Sequence, residues 1–294
     1  MYDFAIIGGG ITGLLAAYYI GGNTIVIDDN SGNSRASLWS IIPPLCGKFY
    51  NQCIDAEKYY SELCDNFHVY CKRTHIIRYS DNKIGGKEID KTELSRIEPN
   101  LNLDNAEYYD NGFFVEGNEL IDKLSEKVKL YITRVKELRI SNNNVKSILT
   151  TNGEISAKNI ILTTGYKTKS LLSNININLY KGHLLILNKV GLNGILIYKD
   201  RIAVEGNNLY INGDSNNDTT KNINYDEVNK SVQKIGEVLP IDTHKFSIKV
   251  GFRTISDNGD PIIKKIFDNT VLVTGYKFGF ALAPILISQV KDLL

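Results

Sequence analysis

The chain has 294 residues, roughly twice a common single-domain length, with 43% hydrophobic and 23% charged residues. That is the composition of a folded globular protein with one large domain or two interleaved ones. No window approaches the ~18 consecutive apolar residues of a membrane span, glycines at 8, 9, 10 and 13 interrupt the apolar start where a signal peptide would need continuity, and a net charge of +1 without a like-charge block argues against a nucleic-acid partner. A cytoplasmic address is expected.

Taken in order, Phe4, Ala5, Ile6 and Ile7 form a short apolar run of the kind that makes a strand buried on both faces. A glycine cluster follows, then a Leu- and Ala-rich helix over 11–20 stopped by Gly21 and Gly22, then a strand over 24–27 ending at Asp28 and Asp29. This is one βαβ unit. A polar turn and Pro43-Pro44 interrupt the winding that a plain nicotinamide domain would continue. A helix is expected over 55–66, strands over 69–79 and a helix over 119–128. Residues 130–140, 145–150 and 154–162 read as a three-stranded meander, with turns at Asn142-Asn143-Asn144 and Asn152-Gly153. A second β-rich stretch covers 180–213, a helix runs over 226–239 up to Pro240, and a strand over 270–274 precedes glycines 275 and 279 and a closing helix to Leu294.

The four cysteines, 46, 53, 64 and 71, are spaced by seven, eleven and seven residues without a Cys-x-x-Cys pair. Buried free thiols are the first expectation, ahead of one or two disulfides and of a metal site. The histidines, 68, 75, 183 and 244, show no ligand spacing and read as structural.

Gly8-Gly9-Gly10-Ile11-Thr12-Gly13 is a G-x-G-x-x-G with a strand before it, a helix after it and Asp28 twenty residues past Gly8. Gly8 permits the tight turn, Gly10 lets a pyrophosphate approach the backbone, and Gly13 allows close helix packing while the helix N-terminus faces phosphate charge. Asp28 is placed to hold ribose hydroxyls, so a dinucleotide is expected.

Beyond that motif, the sequence resembles the superfamily of FAD-dependent D-amino-acid oxidases, glycine oxidases and sarcosine oxidases, over nearly the whole chain and with shorter loops. Arg35-Ala36-Ser37 resembles the segment that contacts FAD after the second strand, and Thr133-Arg134-Val135 the stretch whose valine backbone meets the adenine. The strand from Asn159 ends in Thr163-Thr164-Gly165 as in the family, and Lys181-Gly182-His183 is similar to the step that opens the substrate-domain sheet. Gly251-Phe252-Arg253-Thr254-Ile255-Ser256-Asp257-Asn258-Gly259-Asp260-Pro261 resembles G-L-R-P-x-T-x-D-G-x-P. The run from Gly275 to Pro284 resembles the glycine-rich end beside the flavin ring.

The resemblance implies an α/β fold: a Rossmann-like, glutathione-reductase-like FAD-binding domain from segments 1–66, 114–170 and 247–294, interleaved with an α+β substrate domain from 67–113 and 171–246 on a mostly antiparallel sheet. It implies noncovalent FAD, since no cysteine or histidine lies where the family's covalent members tether it. The expected cofactor contacts are Gly8, Gly10, Ile11, Thr12, Gly13, Asp28, Asp29, Arg35, Ala36, Ser37, Trp39, Ser40, Val135, Thr164, Gly165, Gly251, Arg253, Gly275, Phe278, Gly279, Phe280 and Ala281. Arg253 matches the arginine that binds the substrate carboxylate, a task suited to its planar fork of donors. Tyr276 is a further pocket candidate. Lys277 falls near a place where glycine oxidases carry an arginine, and reads as an anion contact or a solvated lysine. Arg201 falls where relatives often carry a pocket tyrosine, against the plainer reading of an exposed sheet edge. Trp39-Ser40-Ile41 stands where the family usually has a glycine and alters the wall beside the ring.

The implied reaction is oxidation of the CH–N bond of glycine, sarcosine, a D-amino acid or proline by hydride transfer to flavin N5, with oxygen or another electron acceptor. The alternatives are oxidation of a 2-hydroxy acid, which would want a base that no histidine supplies, and an FAD-holding subunit of a heteromeric amine dehydrogenase. An oligomer or partner subunit fits any of these.

Overall fold

A computed structural model describes residues 1–293. In chain order the elements are β1 (Tyr2–Ile7), α1 (Ile11–Ile20), β2 (Thr24–Asp28), β3 (Ser40–Ile41), α2 (Tyr50–Phe67), β4 (Cys71–Tyr79), β5 (Lys87–Asp90) and α3 (Lys91–Ile97). They continue with β6 (Asn105–Val115), α4 (Gly117–Lys127), β7 (Leu130–Ile132), β8 (Val135–Ser141), β9 (Asn144–Thr150), β10 (Gly153–Ile155), β11 (Ala157–Leu162) and α5 (Thr168–Leu171). The remainder are β12 (Ile177–Leu187), β13 (Ile195–Tyr198), β14 (Arg201–Glu205), β15 (Leu209–Asn212), α6 (Tyr225–Gly236), β16 (Phe246–Ser256), β17 (Ile262–Phe267), β18 (Thr270–Thr274) and α7 (Gly279–Val290).

The chain divides into two compact units, each assembled from separated segments. The first comprises Met1–Arg35, Asn118–Tyr180 and Phe252–Leu294; the second comprises Ala36–Gly117 and Lys181–Gly251. Residues 36–66, grouped with the first unit on the sequence, therefore sit in the second. Leu294 itself, the expected end of the closing helix, lies outside the described residues.

The first unit carries a six-stranded sheet in the order β17-β18-β11-β1-β2-β7, parallel except for β17. Ile27, Ile7, Leu162 and Leu272 are in register across four strands and belong to one buried cluster with Ala5, Ile25 and Ile160. Parallel strands covered on both faces need such continuous apolar runs. Helix α1 is apolar all round, with Ile11, Leu14, Leu15, Ala16 and Ala17 buried, and it packs against α7.

The expected meander is corrected. Residues 130–132 add to the parallel sheet beside β2, and 157–162 pair with β1 and β18; only β8, β9 and β10 form a separate three-stranded sheet. The hydrophobic period shows that these residues are strands and is silent on their partners.

The second unit carries a nine-stranded, mostly antiparallel sheet, in the order β16-β12-β15-β14-β13-β4-β6-β3 with β5 also on β6, in which β13 and β4 run parallel. Its core joins Ile77, Leu94, Leu196, Leu209 and Ile211 to Val228, Val232 and Ile235 of α6. Its loops fold around two buried carboxylates, Glu98 and Glu107, and a half-buried one, Glu205. Glu98 accepts from His75 and from the N–H groups of Asn193 and Gly194. Glu107 accepts from Arg78 and the N–H groups of Ile84, Gly85 and Gly86, and Glu205 from those of Val190, Gly191 and Leu192.

The expectation of free thiols is also corrected: Cys46 is bonded to Cys53 and Cys64 to Cys71. One bond ties the first turns of α2 to the chain before it, and the other ties its last turn to β4. No helix among the described residues is long and apolar enough to cross a membrane.

Candidate functional site

Strand β1 has β2 on one side and β11 on the other, so the chain reverses its direction of winding at the end of β1. Ligands of open α/β sheets bind at the carboxyl ends of strands where this reversal occurs. The glycine turn stands at that point. Gly8 has φ +111° and donates its N–H to Ile27; a β-carbon there would come 2.5 Å from the Thr163 carbonyl oxygen. A β-carbon at Gly13 would fall on the Gly8 carbonyl oxygen, so the helix approaches the strand as only glycine permits.

Gly10 is the N-cap of α1 and offers no side-chain cap, which leaves the positive end of the helix to other acceptors. Ser34 Oγ accepts the Ile11 N–H at 3.0 Å and would lie 2.8 Å from a β-carbon on Gly10. These residues fit a dinucleotide: the turn stands at a helix N-terminus whose N-cap has no side chain, and the side chain nearest Gly10 is a small hydroxyl. Asp28 accepts the N–H groups of Gly9 and Asn30, and each carboxylate oxygen keeps a lone pair for a ribose hydroxyl.

Asp29, in contrast, is engaged by Lys167 and by Ser31. Burial works to raise its pKa, and the hydrogen bonds from Lys167 and Ser31 outweigh that and hold it below the ordinary carboxylate value. Tyr166 donates to the Ser31 carbonyl at 3.2 Å and lies 5.4 Å from the Phe252 ring. Asn33 donates to the Phe252 carbonyl at 3.4 Å. Segments near 29–34, 165–167 and 252–253 are thus knitted together within the first unit. Arg253 is half-buried on β16, and strand alternation puts its side chain on the face opposite Phe252.

Other expected residues lie as follows. Thr164 bonds Thr168 at 2.9 Å, Gly165 turns at φ +51°, and Val135 opens β8 against the core. Gly275 turns at φ +75°, Phe278 is half-buried, Gly279 begins α7, and Phe280 and Ala281 are buried in it. Tyr276 is buried and bonds Thr12. Lys277 is exposed, with Nζ 5.4 Å from the centre of the Phe278 ring. Arg35 is about half exposed and pairs with Asp122. Ala36, Ser37, Trp39, Ser40 and Gly251 belong to the second unit, where the Trp39 indole is buried over Gly117.

Arg201 is corrected. It is neither on an exposed edge nor open to a ligand: its guanidinium is buried and bonds Ser231 at 2.7 Å, Asp200 at 2.6 Å and Glu227 at 3.2 Å, tying β14 to α6. His183 is likewise committed. Its Nδ1 bonds Asp214 at 2.5 Å, and its Nε2 accepts the Asn224 N–H at 3.1 Å. Beside it, buried Lys181 bonds Asp218 and the Asn222 carbonyl on the wall of a polar cavity of about 390 Å³. Ser34, Tyr166 and Lys167 belong to no local sequence motif, and only the fold brings them to the turn.

The sequence matches the family model described as FAD dependent oxidoreductase (DAO) over residues 3–289. No curated protein matches it. Among solved structures it is similar to glycine oxidase from Bacillus cereus, at 19% identity over 100% of this chain and 97% of that one, with a TM-score of 0.86. It is also similar to L-proline dehydrogenase from P. horikoshii (17%, 99% and 92%, 0.85) and to iminodiacetate oxidase from Chelativorans (17%, 99% and 94%, 0.84). At these identities the likeness to solved structures is one of fold.

Proposed function

Because the chain belongs to the DAO family of FAD-dependent oxidoreductases, we propose that it oxidises the carbon–nitrogen bond of a small amino acid whose carboxylate is held by Arg253. The observation that carries this reading is the position of Arg253: half-buried on β16, next to Phe252, whose carbonyl accepts from Asn33 in the turn after β2 and whose ring packs on Tyr166. A guanidinium fork meets a carboxylate with two parallel hydrogen bonds and so sets orientation as well as position. The three fold relatives above are named for glycine, proline and iminodiacetate, each with nitrogen on the carbon next to a carboxylate.

FAD, held noncovalently, supplies the hydride acceptor. The glycine turn and the N-terminus of α1 receive its diphosphate, and Asp28 receives a ribose hydroxyl. Arg253 aims the α-hydrogen of the substrate; loss of that hydride and of the amine proton leaves an imino acid, which water hydrolyses. Orientation is the main contribution the chain makes, since amine oxidation of this kind asks for no strong base. Oxidation of a 2-hydroxy acid would ask for one, and His183, with both ring nitrogens engaged, does not serve.

The test is anaerobic bleaching of the flavin by glycine, sarcosine, D-alanine, L-proline and a 2-hydroxy acid. Bleaching by one or more of the amines, with all FAD recovered in the supernatant after denaturation, is expected. Bleaching by the 2-hydroxy acid alone would overturn the substrate class, and flavin left on the precipitated chain would overturn noncovalent binding.

A further inference from the structure

The first turn of α1 and the segment 275–279 come from opposite ends of the chain, yet one side-chain hydrogen bond joins them: Thr12 Oγ1 to the Tyr276 hydroxyl, at 2.5 Å. Thr12 is the second residue of α1, inside the stretch whose N–H groups have no partner within the helix. Tyr276 is buried. Burial pushes its phenol up to about 12, with the Thr12 bond acting the other way, so the hydroxyl keeps its proton throughout the neutral range.

This bond adds to the packing of the segment, whose residues Gly275 and Tyr276 are buried and which leads into α7, itself packed against α1. It lies between β18 and α7 with no regular secondary structure from Gly275 to Phe278. Among the described residues, the Gly275 carbonyl accepts from the Ser256 N–H and the Phe278 carbonyl from the Leu282 N–H, both at 2.9 Å. Gly275 itself is at φ +75°, and a β-carbon there would meet the Ile262 side chain at 3.1 Å.

We infer that Tyr276 is a positioning residue, whose hydroxyl holds the 275–279 segment against the glycine turn through Thr12 so that both ends of the chain meet the cofactor as one rigid element. This rests on the reading that the turn holds FAD. Removing the Thr12 hydroxyl leaves the buried Tyr276 hydroxyl without this bond, removing the Tyr276 hydroxyl leaves that of half-buried Thr12 without it, and the effect should fall on the geometry of the cofactor site.

The experiment titrates FAD into apoprotein of wild type, Tyr276→Phe, Thr12→Val, the double variant and Thr12→Ser. It records Kd, the absorbance spectrum of the bound flavin and the urea midpoint of the apoprotein. Each single hydroxyl deletion is expected to raise Kd about fivefold to thirtyfold and to shift the bound-flavin spectrum. The double variant should be no worse than the weaker single, and Thr12→Ser should stay within about twofold of wild type. If Tyr276→Phe fails to fold, Thr12→Val removes the same bond from the other side. Unchanged Kd and spectrum, a lower urea midpoint alone, or additive single effects would overturn the inference. Wild-type protein that takes up no FAD would instead overturn the cofactor reading on which it stands.

Discussion

Gly13 lies against Gly8 so closely that a β-carbon at 13 would fall on the Gly8 carbonyl oxygen and 2.6 Å from Thr163 Oγ1. At Gly10, by contrast, an added β-carbon meets only the Ser34 side chain, with its hydroxyl at 2.8 Å, and that side chain can turn away at the cost of its bond from the Ile11 N–H. Gly13→Ala is therefore expected to cost about 1–3 kcal/mol of stability or more, because backbone must move. Gly10→Ala should cost less, about 1 kcal/mol for the displaced Ser34 bond, but retain less FAD, because its methyl group would crowd the turn proposed to receive the diphosphate. Urea unfolding and FAD content of both variants check this; equal destabilisation would place the tight contact elsewhere.

Acid should loosen the second unit. Burial works to raise the pKa of Glu107, but the N–H groups of Ile84 and Gly86 and the Arg78 guanidinium outweigh it and hold the carboxyl below its ordinary value of 4.5. A carboxyl whose folded pKa is depressed contributes stability that is fully present above its unfolded pKa and is lost as pH falls through the folded one. The urea midpoint should drop as pH falls below about 4.5. Glu107→Gln should lose about 1–3 kcal/mol at pH 7 and show a flatter acid limb; a wild-type acid limb in that variant would assign the acid sensitivity to other groups.

Both cysteine pairs close short loops of sequence separation 7. On the chain-entropy view each contributes about 2–3 kcal/mol. Mass spectrometry after alkylation without reductant should find no free thiol, and reductant should lower the thermal midpoint by several degrees. Four alkylated cysteines in freshly purified protein would contradict the pairing.

What was legible in the sequence, and what was not, follows the distance over which each feature is determined. The βαβ unit could be read because Gly8, Gly10, Gly13 and Asp28 answer to backbone geometry within one supersecondary unit. Strand 130–132 and strand 157–162 were recognised as strands and assigned to the wrong sheet, because partners are chosen by residues far away. The cysteine spacing was compatible with several states until α2 brought 46 to 53 and 64 to 71. The surroundings of Arg201 are hidden for the same reason: its partners Glu227 and Ser231 are on a helix that follows one strand later. Ser34, Tyr166 and Lys167 carry no local signature, and the contact of Thr12 with Tyr276 spans almost the entire chain.

The most direct test of the proposed chemistry is anaerobic flavin reduction by the best amine substrate, compared among wild type, Arg253→Lys and Arg253→Ala with FAD content measured alongside. Losing a bidentate, charge-assisted pair costs on the order of 1.5–3 kcal/mol or more, so kcat/KM should fall at least about tenfold to a hundredfold with FAD still bound. Lysine restores charge without the fork and should recover only part of the loss. Wild-type reduction rates in both variants, at full FAD occupancy, would contradict the assignment of the substrate carboxylate to Arg253.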